Sequence, residues 1–295
     1  MTKPFKRIGI FGRTGTPGVN ETLKALIQFL QTHNHPVCVE AETAAMLGPL
    51  SLPIIPKEQL NQHCDLLIVV GGDGSLLHAT PIVVDQQLPV LGVNRGSLGF
   101  LTDILPTKLD KIADILKGNY FVEERFLLTA TVTETNKRLG QYDALNEVVI
   151  VPNGVPHMLE FEIYINKQFV CSQHADGLII ATPTGSTAYA LSGGGPILHP
   201  QLDAIVLVPM FPHTLSHRPI VVDGKSEVEV IISHQKKNTA RLSCDGQESH
   251  ILTADMHLII QKKSIPLKLI HPLDYQYFET LRSKLYWGKK LTGME

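Results

Sequence analysis

The feature that most constrains the fold is an unbroken aliphatic run at residues 66–70, which ends at Gly71-Gly72-Asp73-Gly74. A strand without polar alternation is typical of a parallel sheet that is covered on both faces. The glycines allow the backbone to pass close to a ligand with its N–H groups facing a phosphate. An acid at the carboxyl end of such a strand can accept a hydroxyl proton or hold a divalent cation. The alternative is a tight turn in which Asp73 caps the following helix.

Strand-like and helix-like segments alternate over the first part of the chain. Short apolar runs at residues 8–11, 37–39 and 89–93 predict strands, and residues 75–79 predict the first turn of a helix. Apolar side chains recur at helical spacing at Val19, Leu23, Leu26, Ile27 and Leu30, and again at Leu109, Ile112, Ile115 and Leu116. Because such alternation favours an open α/β sheet, we expect a Rossmann-like α/β domain over residues 1–122.

The pattern changes near residue 121. Residues 129–133, 161–165 and 227–231 alternate with period two, as half-exposed antiparallel strands do. Tight hairpin turns are expected at Asn166-Lys167 and Asp245-Gly246, and residues 257–261 are expected to pair with residues 266–270. We therefore predict a β-rich, sandwich-like domain over residues 123–272. The spacing of Tyr277, Leu281 and Leu285 predicts a closing helix within residues 273–295.

Composition excludes several classes of function. The 295 residues carry 26 Lys and Arg against 28 Asp and Glu, and this near-neutral charge argues against a nucleic-acid or anionic-membrane partner. The longest apolar run, residues 204–211, is much shorter than the ~20 residues that span a bilayer. Residues 1–7 lack the apolar stretch of a signal peptide. Four scattered cysteines and the lack of an HExxH motif indicate reduced thiols and no structural metal site. We expect a soluble cytoplasmic protein.

Two further segments carry polar groups suited to a nucleotide. Residues 176–196 crowd hydroxyl groups around small residues and one aromatic ring, and these side chains are Thr182, Thr184, Ser186, Thr187, Tyr189 and Ser192. Such groups can cap a helix and hydrogen-bond a polar ligand, and the alternative is an ordinary Ser/Thr-rich loop. Asn146-Glu147 precedes the apolar run 148–151. There an amide and a carboxylate can hold a ribose diol or an amide group, and the alternative is a turn that starts a strand.

Taken together and in this order, these motifs resemble the NAD kinase family. The matching segments are GGDGSLLHA (71–79), GVNRGSLGFLTD (92–103), NEVVI (146–150), DGLIIATPTGSTAYALSGGGP (176–196) and PHTLSHRPIV (212–221). Phosphofructokinases and lipid kinases also carry the first motif, whereas the 176–196 segment is specific. The resemblance implies transfer of a phosphoryl group from ATP, or in some members from polyphosphate, to the adenosine-ribose 2′-hydroxyl of NAD. It also implies a divalent metal (Mg or Mn) held with ATP rather than by protein ligands alone, and a homodimer or homotetramer.

The resemblance further implies roles in phosphoryl transfer. Asp73 corresponds to the catalytic acid and Gly74 to its ligand-contacting neighbour. The loop for the phosphate donor comprises Gly71, Gly72, Gly74 and Ser75. His78 and Arg95 stand near that loop, and they are expected either to meet donor phosphates or to be solvated or cap the next turn.

The remaining implied residues would bind NAD. Phe100 resembles an adenine-contacting aromatic residue, Asn146 and Glu147 resemble the pair that holds ribose hydroxyls, and Asp176 resembles an acid near the nicotinamide half. The adenosine-contacting segment comprises Thr184, Thr187, Ala188, Tyr189, Ala190, Leu191 and Ser192, and Gln247 is a further contact to the dinucleotide. His174 stands where many members have Arg or Lys, and because a neutral imidazole contacts a phosphate less strongly, the roles of His174 and His157 in substrate binding stay open.

Two other functions fit parts of the sequence. A NAD-dependent dehydrogenase would account for Gly9, Gly12 and Gly15, but these glycines do not form GxGxxG and no acid follows about 20 residues later at a strand end. A module that senses NAD or NADP without turnover would account for the polar segments. Asp73 within its glycine loop argues against such a module.

Overall fold

The computed structural model describes residues 3–13, 17–95, 99–135, 137–154, 157–214, 216–233, 239–254 and 256–288. The chain divides into two compact units. The first unit comprises Met1–Glu124 together with Leu267–Glu295, and the second comprises Arg125–Pro266. Gly15, residues 96–98 of the 92–103 segment and Leu215 of the 212–221 segment lie outside the described residues.

The described residues form strands and helices as follows. The strands are β1 (Ile8–Gly12), β2 (Val37–Glu40), β3 (Ile54–Ile55), β4 (Leu66–Gly71), β5 (Val90–Asn94), β6 (Tyr120–Arg125), β7 (Leu128–Glu134), β8 (Lys137–Ala144), β9 (Glu147–Pro152), β10 (Leu159–Ile165), β11 (Gln168–Ala175), β12 (Gly177–Ala181), β13 (Ala204–Met210), β14 (Ile220–Asp223), β15 (Val228–Ile232), β16 (Ala240–Cys244), β17 (Gln247–Leu252), β18 (Met256–Lys262) and β19 (Leu267–Pro272). The α-helices are α1 (Val19–Thr32), α2 (Ala41–Leu47), α3 (Leu60–His63), α4 (Asp73–Asp85), α5 (Asp110–Leu116), α6 (Tyr189–Ser192) and α7 (Tyr277–Leu285), and short 3₁₀ turns lie at Lys57–Gln59 and Gly185–Thr187. None of the helices in this described part is long and apolar enough to cross a membrane.

The first unit is built on an open sheet with strand order β3-β2-β1-β4-β5-β19-β6. The pairs from β3 through to β19 are parallel, and every residue of β1, β4 and β5 is buried. Burial on both faces explains why these strands carry unbroken aliphatic runs. The five apolar side chains predicted to form one face of α1 are all buried, and they pack in the same core cluster as residues of β1 and β4. The predicted open α/β architecture and its helices are therefore confirmed.

One predicted strand pairing is wrong. Residues 257–261 do not pair with residues 266–270, because β18 lies between β15 and β7 while β19 runs parallel to β5 in the other sheet. The reason is burial: five of the six residues of β19 are buried, which suits a strand covered on both faces. As a result residues 267–272, which the sequence suggested for the β-rich domain, belong to the first unit, and that unit's first segment ends at Glu124.

The second unit contains two antiparallel sheets, with strand orders β11-β10-β15-β18-β7-β8 and β14-β13-β12-β9-β16-β17. One core lies between them, with Phe161 and Val230 from the first sheet and Ile180 and Leu242 from the second. The predicted hairpin turns are confirmed: Asn166 and Lys167 join β10 to β11 at φ 51° and 65°, and Asp245 and Gly246 join β16 to β17 at φ 50° and 75°. The β-rich sandwich and the closing helix α7 are likewise confirmed.

The core of the second unit predicts a large difference between two phenylalanines of one hairpin. Phe161 on β10 is fully buried, whereas Phe169 on β11 is 58% exposed and contacts only the edge of the Tyr164 ring among the aromatic pairs described. We expect Phe161→Ala to lower the free energy of unfolding by about 3–5 kcal/mol, because it leaves a cavity. Phe169→Ala, the matched control, should cost below about 1 kcal/mol. Chemical denaturation measures both, and equal losses would contradict the described core.

Candidate active site

Asp73 lies at the junction of β4 and α4, at the carboxyl end of the central strand. Gly72 is the N-cap of α4 and Asp73 is its first helical residue, so the alternative in which Asp73 caps the helix is wrong. The Asp73 carboxylate instead binds a segment that follows β5. Its Oδ2 accepts from the N–H of Phe100 (2.9 Å), and its Oδ1 accepts from the N–H of Leu101 (3.0 Å) and the hydroxyl of Thr102 (3.1 Å).

These hydrogen bonds fix the orientation of the Asp73 carboxylate. An ionised carboxylate has about four acceptor positions, and the described donors fill two on Oδ1 and one on Oδ2. One position on Oδ2 is left for an O–H donor from a substrate. The close packing also requires glycine at position 99, because a Cβ there would lie 2.2 Å from Asp73 Oδ1.

The other residues predicted for the phosphate-donor loop differ in what they expose. Gly74 and His78 are exposed, whereas Ser75 is buried and its N–H donates to the carbonyl oxygen of Gly72 (2.9 Å). Arg95 donates its backbone N–H to the carbonyl oxygen of Gly71 (2.9 Å). Around Asp73, the loop therefore presents Gly74 more directly to solvent than Ser75.

In the second unit, a single carboxylate organises the turn that carries Asn146 and Glu147. Asp245 Oδ2 accepts from the N–H of Leu145 (2.8 Å), and its Oδ1 accepts from the N–H groups of Asn146 (2.8 Å) and Glu147 (3.2 Å). Sequence reasoning assigned Asp245 only to a hairpin turn and missed this contact. The sequence carries no sign of these hydrogen bonds, because an aspartate before glycine is ordinary in a hairpin turn.

The same turn brings Asn146 and Glu147 next to the hydroxyl-rich segment. Thr182 donates its hydroxyl to the carbonyl oxygen of Leu145 (2.6 Å) and its N–H to that of Asn146 (2.9 Å). A Cβ on Gly185 would lie 2.0 Å from the Asn146 carbonyl oxygen, so only glycine fits there. Thr184 is buried and accepts from the guanidinium of Arg125 (3.1 Å). The structure therefore brings residues 146–147 next to the start of the predicted 184–192 segment, and together they form a candidate site.

Exposure distinguishes the members of this site. The Tyr189 ring is 47% exposed, and Ser192 and Gln247 are also exposed. Thr187, Ala188 and Leu191 are partly buried, whereas Ala190 packs in the apolar cluster beneath the segment. Gln247 begins β17 two residues after Asp245, so the Asp245 turn also places Gln247.

Asp176, His174 and His157 lie apart from this site. Asp176 precedes β12 and Thr182 follows it, so their Cα atoms are about 20 Å apart at ~3.4 Å per residue. His174 lies on β11 with its Nε2 3.4 Å from Glu160 Oε1, and the exposed His157 stands between β9 and β10 at the same end of the sheet. Asp176 therefore lies at the opposite end of β12 from Asn146 and Glu147, and His174 lies two residues before it in the chain.

Glu147 is a buried acid beside a second acid. Burial first, and then the neighbouring Asp245 charge, raise its pKa to about 7, while a hydrogen bond from the N–H of Tyr189 opposes the shift. Burial also raises the pKa of Asp245, against the three N–H groups that it accepts from. The second oxygen of Glu147, Oε2, is buried without a hydrogen-bond partner among the described residues. Glu147 therefore retains an acceptor for a hydroxyl or amide group.

The described residues offer no cluster of three or more His, Cys, Asp or Glu side chains that could hold a metal ion. Both oxygens of Asp73 already accept protein hydrogen bonds. The described donor set therefore does not fit a metal held by protein ligands alone.

The family model for the ATP-NAD kinase N-terminal domain matches residues 8–120, and the model for the ATP-NAD kinase C-terminal domain matches residues 145–272. A NAD kinase of Coxiella burnetii (strain RSA 493 / Nine Mile phase I) is 55% identical over 291 residues, which cover 98% of this chain and 97% of that protein. A NAD kinase of Pseudomonas entomophila (strain L48) is 52% identical over 292 residues, which cover 99% of each chain.

Two solved structures share the fold. Yeast NADH kinase complexed with NADH superposes with a TM-score of 0.87 at 24% identity, covering 99% of this chain and 91% of that one. A NAD kinase from Archaeoglobus fulgidus in complex with ATP superposes with a TM-score of 0.69 at 24% identity, covering 94% of this chain and 99% of that one.

The environment of Glu147 predicts a pH-dependent stability. Because the folded-state pKa is raised above the unfolded value, ionising Glu147 destabilises the folded state, and stability is lost as the pH rises from 4.5 to 7. A shift of this size is worth as much as about 3 kcal/mol. Glu147→Gln should therefore be more stable than the wild type at pH 8, with a smaller difference at pH 5. Denaturation at both pH values measures this, with the exposed Glu248→Gln as a control, and a variant less stable at pH 8 would refute it.

Proposed function

This chain belongs to the NAD kinase family, and from that premise we propose how its residues transfer a phosphoryl group from ATP to NAD. The acceptor is the adenosine-ribose 2′-hydroxyl, and the product is NADP. The observation that carries the proposal is the fixed Asp73 carboxylate with one acceptor position left on Oδ2.

Asp73 acts on the hydroxyl mainly by orienting it. Phosphoryl transfer through a loose transition state needs positioning and charge stabilisation more than a strong base. A carboxylate is a weak base toward an alcohol, so Asp73 accepts the hydroxyl hydrogen bond first and takes the proton late, as the O–P bond forms. The three protein donors to Asp73 support this role because they hold the remaining acceptor in one direction.

The donor phosphates meet the start of α4. The first helical hydrogen bonds of α4 run from the N–H groups of Ser75 and Leu76 to the Gly72 carbonyl oxygen, so the N–H groups of Asp73 and Gly74 precede them. Those N–H groups, with Gly71 and Gly72 as the flexible approach, are the proposed phosphate contacts, since a helix N-terminus favours anions. Arg95 and His78 add charge or hydrogen bonds nearby. A divalent metal, Mg or Mn, supplies charge neutralisation when it arrives bound to ATP.

The polar residues that the resemblance assigns to NAD are proposed to bind different parts of the dinucleotide. Asn146 and Glu147 hold ribose hydroxyls through an amide and a buried carboxylate whose Oε2 has no partner among the described groups. Phe100, Thr184 and Gln247 contact the adenosine portion, together with the segment formed by Thr187, Ala188, Tyr189, Ala190, Leu191 and Ser192. Asp176, with His174 and His157 near it, serves the nicotinamide half.

We further propose a homodimer or homotetramer that works in the cytoplasm. Edge strands β11 and β14 expose apolar side chains, with Phe169 and Val170 on the first and Ile220 and Val221 on the second. Exposed apolar edges are surfaces that other chains cover. Light scattering measures the mass of the assembly.

A separate assay identifies the phosphate donor. It measures NADP formation with ATP and with polyphosphate in turn.

The role of Asp73 predicts a selective loss of turnover. Asp73→Asn keeps the shape of the side chain but cannot take the proton, so kcat for NADP formation from NAD, ATP and magnesium should fall by about 100-fold or more. The dissociation constant for NAD, measured by calorimetry, should change little because other residues bind the dinucleotide. Asp114→Asn, an exposed acid on α5, is the matched control. A rate near that of the wild type in Asp73→Asn would sink the proposed role.

The Asp245 contact predicts an effect on NAD binding. Asp245→Gly keeps a residue suited to φ 50° but removes the acceptor for the N–H groups of residues 145–147. We expect KM for NAD to rise about tenfold while kcat stays within about threefold, since hydrogen bonds to a charged group are worth this much. The KM for NAD of Asp245→Asn should lie between those of the wild type and Asp245→Gly. An unchanged KM in the glycine variant would show that the turn does not need the carboxylate.

A further inference from the structure

A buried charged network includes Asp103, the residue that follows the 100–102 segment, whose donors bind the Asp73 carboxylate. His271, near the end of β19, is fully buried. Its Nδ1 lies 2.9 Å from Asp103 Oδ2 and its Nε2 lies 3.0 Å from Glu123 Oε2 on the neighbouring strand β6. The Tyr275 ring stacks on the imidazole at 4.0 Å between centroids, and Phe121 packs at 5.3 Å. Among the described residues, the titratable side chains in contact with His271 are therefore Asp103, Glu123 and Tyr275.

The geometry favours an imidazolium at His271. Both ring nitrogens face a carboxylate oxygen, so a doubly protonated ring donates one N–H to each of two ionised acids. Burial lowers the pKa of His271, but hydrogen bonds and charge from Asp103 and Glu123 outweigh it and raise that pKa overall. Both the contacts and the direction of the pKa shift thus favour the imidazolium.

Asp103 connects this network to Asp73 through one peptide unit. Asp103 follows Thr102, whose hydroxyl donates to Asp73 Oδ1 while Asn94 Nδ2 donates to that hydroxyl at 2.8 Å. The neighbouring Leu101 and Phe100 supply the other two N–H donors to Asp73. Asn94 thus holds one side of the segment and the His271–Asp103 pair holds the other.

We propose that His271 is a positioning residue for phosphoryl transfer, which fixes Asp103 and thereby the 100–102 segment that orients the Asp73 carboxylate. This proposal rests on the proposed role of Asp73. It assigns a function in catalysis to a residue that lies outside every motif of the resemblance. Glu123 binds the other ring nitrogen of His271, Nε2.

Two substitutions at the same position separate positioning from stability. In His271→Asn the amide nitrogen stands near the place of Nδ1 and still donates to Asp103, whereas in His271→Gln it stands near the place of Nε2 and donates to Glu123. Both variants lose one buried hydrogen bond to a carboxylate and should lower the thermal unfolding midpoint by similar amounts. We expect His271→Gln to reduce kcat by about 10- to 100-fold with KM for NAD within about twofold, as a displaced catalytic group would. His271→Asn should keep kcat within about threefold of the wild type.

Equal kcat losses in the two variants, or a loss that appears in KM instead of kcat, would overturn the proposal. In an Asp73→Asn background, His271→Gln should cause no additional loss, because coupled residues are not additive. If Asp73→Asn itself retains turnover, the role of Asp73 fails and the positioning role fails with it. If Asp73→Asn is inactive but His271→Gln matches His271→Asn, only the positioning role fails.

A measurement on the wild type needs no variant to fold. Nitrogen-15 NMR of the histidine rings should show both nitrogens of His271 protonated at pH 7 in the full chain. A bare ring nitrogen at that pH would contradict the doubly hydrogen-bonded imidazolium on which the proposal depends.

Discussion

The hydrogen bonds between the Asp73 carboxylate and the 100–102 segment are the interaction on which the first unit's site depends. They join the end of β4 to the chain that leaves β5, and they do so with two backbone N–H groups and one hydroxyl. Backbone donors move less than long side chains, so the carboxylate is held before any substrate binds. The same contact explains the residue types at positions 99 and 94. No residue larger than glycine fits at position 99, and the buried Asn94 donates a hydrogen bond to the Thr102 hydroxyl.

The second unit uses the same device with different residues. The Asp245 carboxylate accepts from three consecutive N–H groups and so sets the backbone of the turn that carries Asn146 and Glu147. Burial raises the pKa of both acids, and the Asp245 charge adds to the rise at Glu147. The arrangement sacrifices stability at neutral pH for a fixed acceptor, which is consistent with strained or costly groups collecting at functional sites. A reaction that depends on positioning needs fixed acceptors of this kind.

Local pattern predicted most elements because burial leaves a direct trace in the sequence. The aliphatic runs of β1, β4 and β5, the apolar stripe of α1 and the two hairpin turns were all readable, since strands buried on both faces cannot carry polar residues and I′-type turns need left-handed residues. The failure at β19 has an equally physical cause. Strands that are neighbours in the sequence usually pair, but β19 lies between β5 and β6, where five of its six residues are buried, instead of beside β18.

The sequence by itself determined the family and the reaction and suggested the residue types proposed for the site, because motifs of glycine, hydroxyl and carboxylate groups are recorded in chain order. Only the tertiary structure decided what each acid touches. Asp73 could cap a helix or bind a distant segment, and Asp245 could serve a turn or three amides; the outcome depends on contacts 27 to 29 residues away for Asp73 and 98 to 100 residues away for Asp245. Likewise His271 reads as one more histidine until the sheet places it between Asp103 and Glu123. Hydrogen bonds between residues far apart in the chain leave no local pattern, which is why the fold had to supply them.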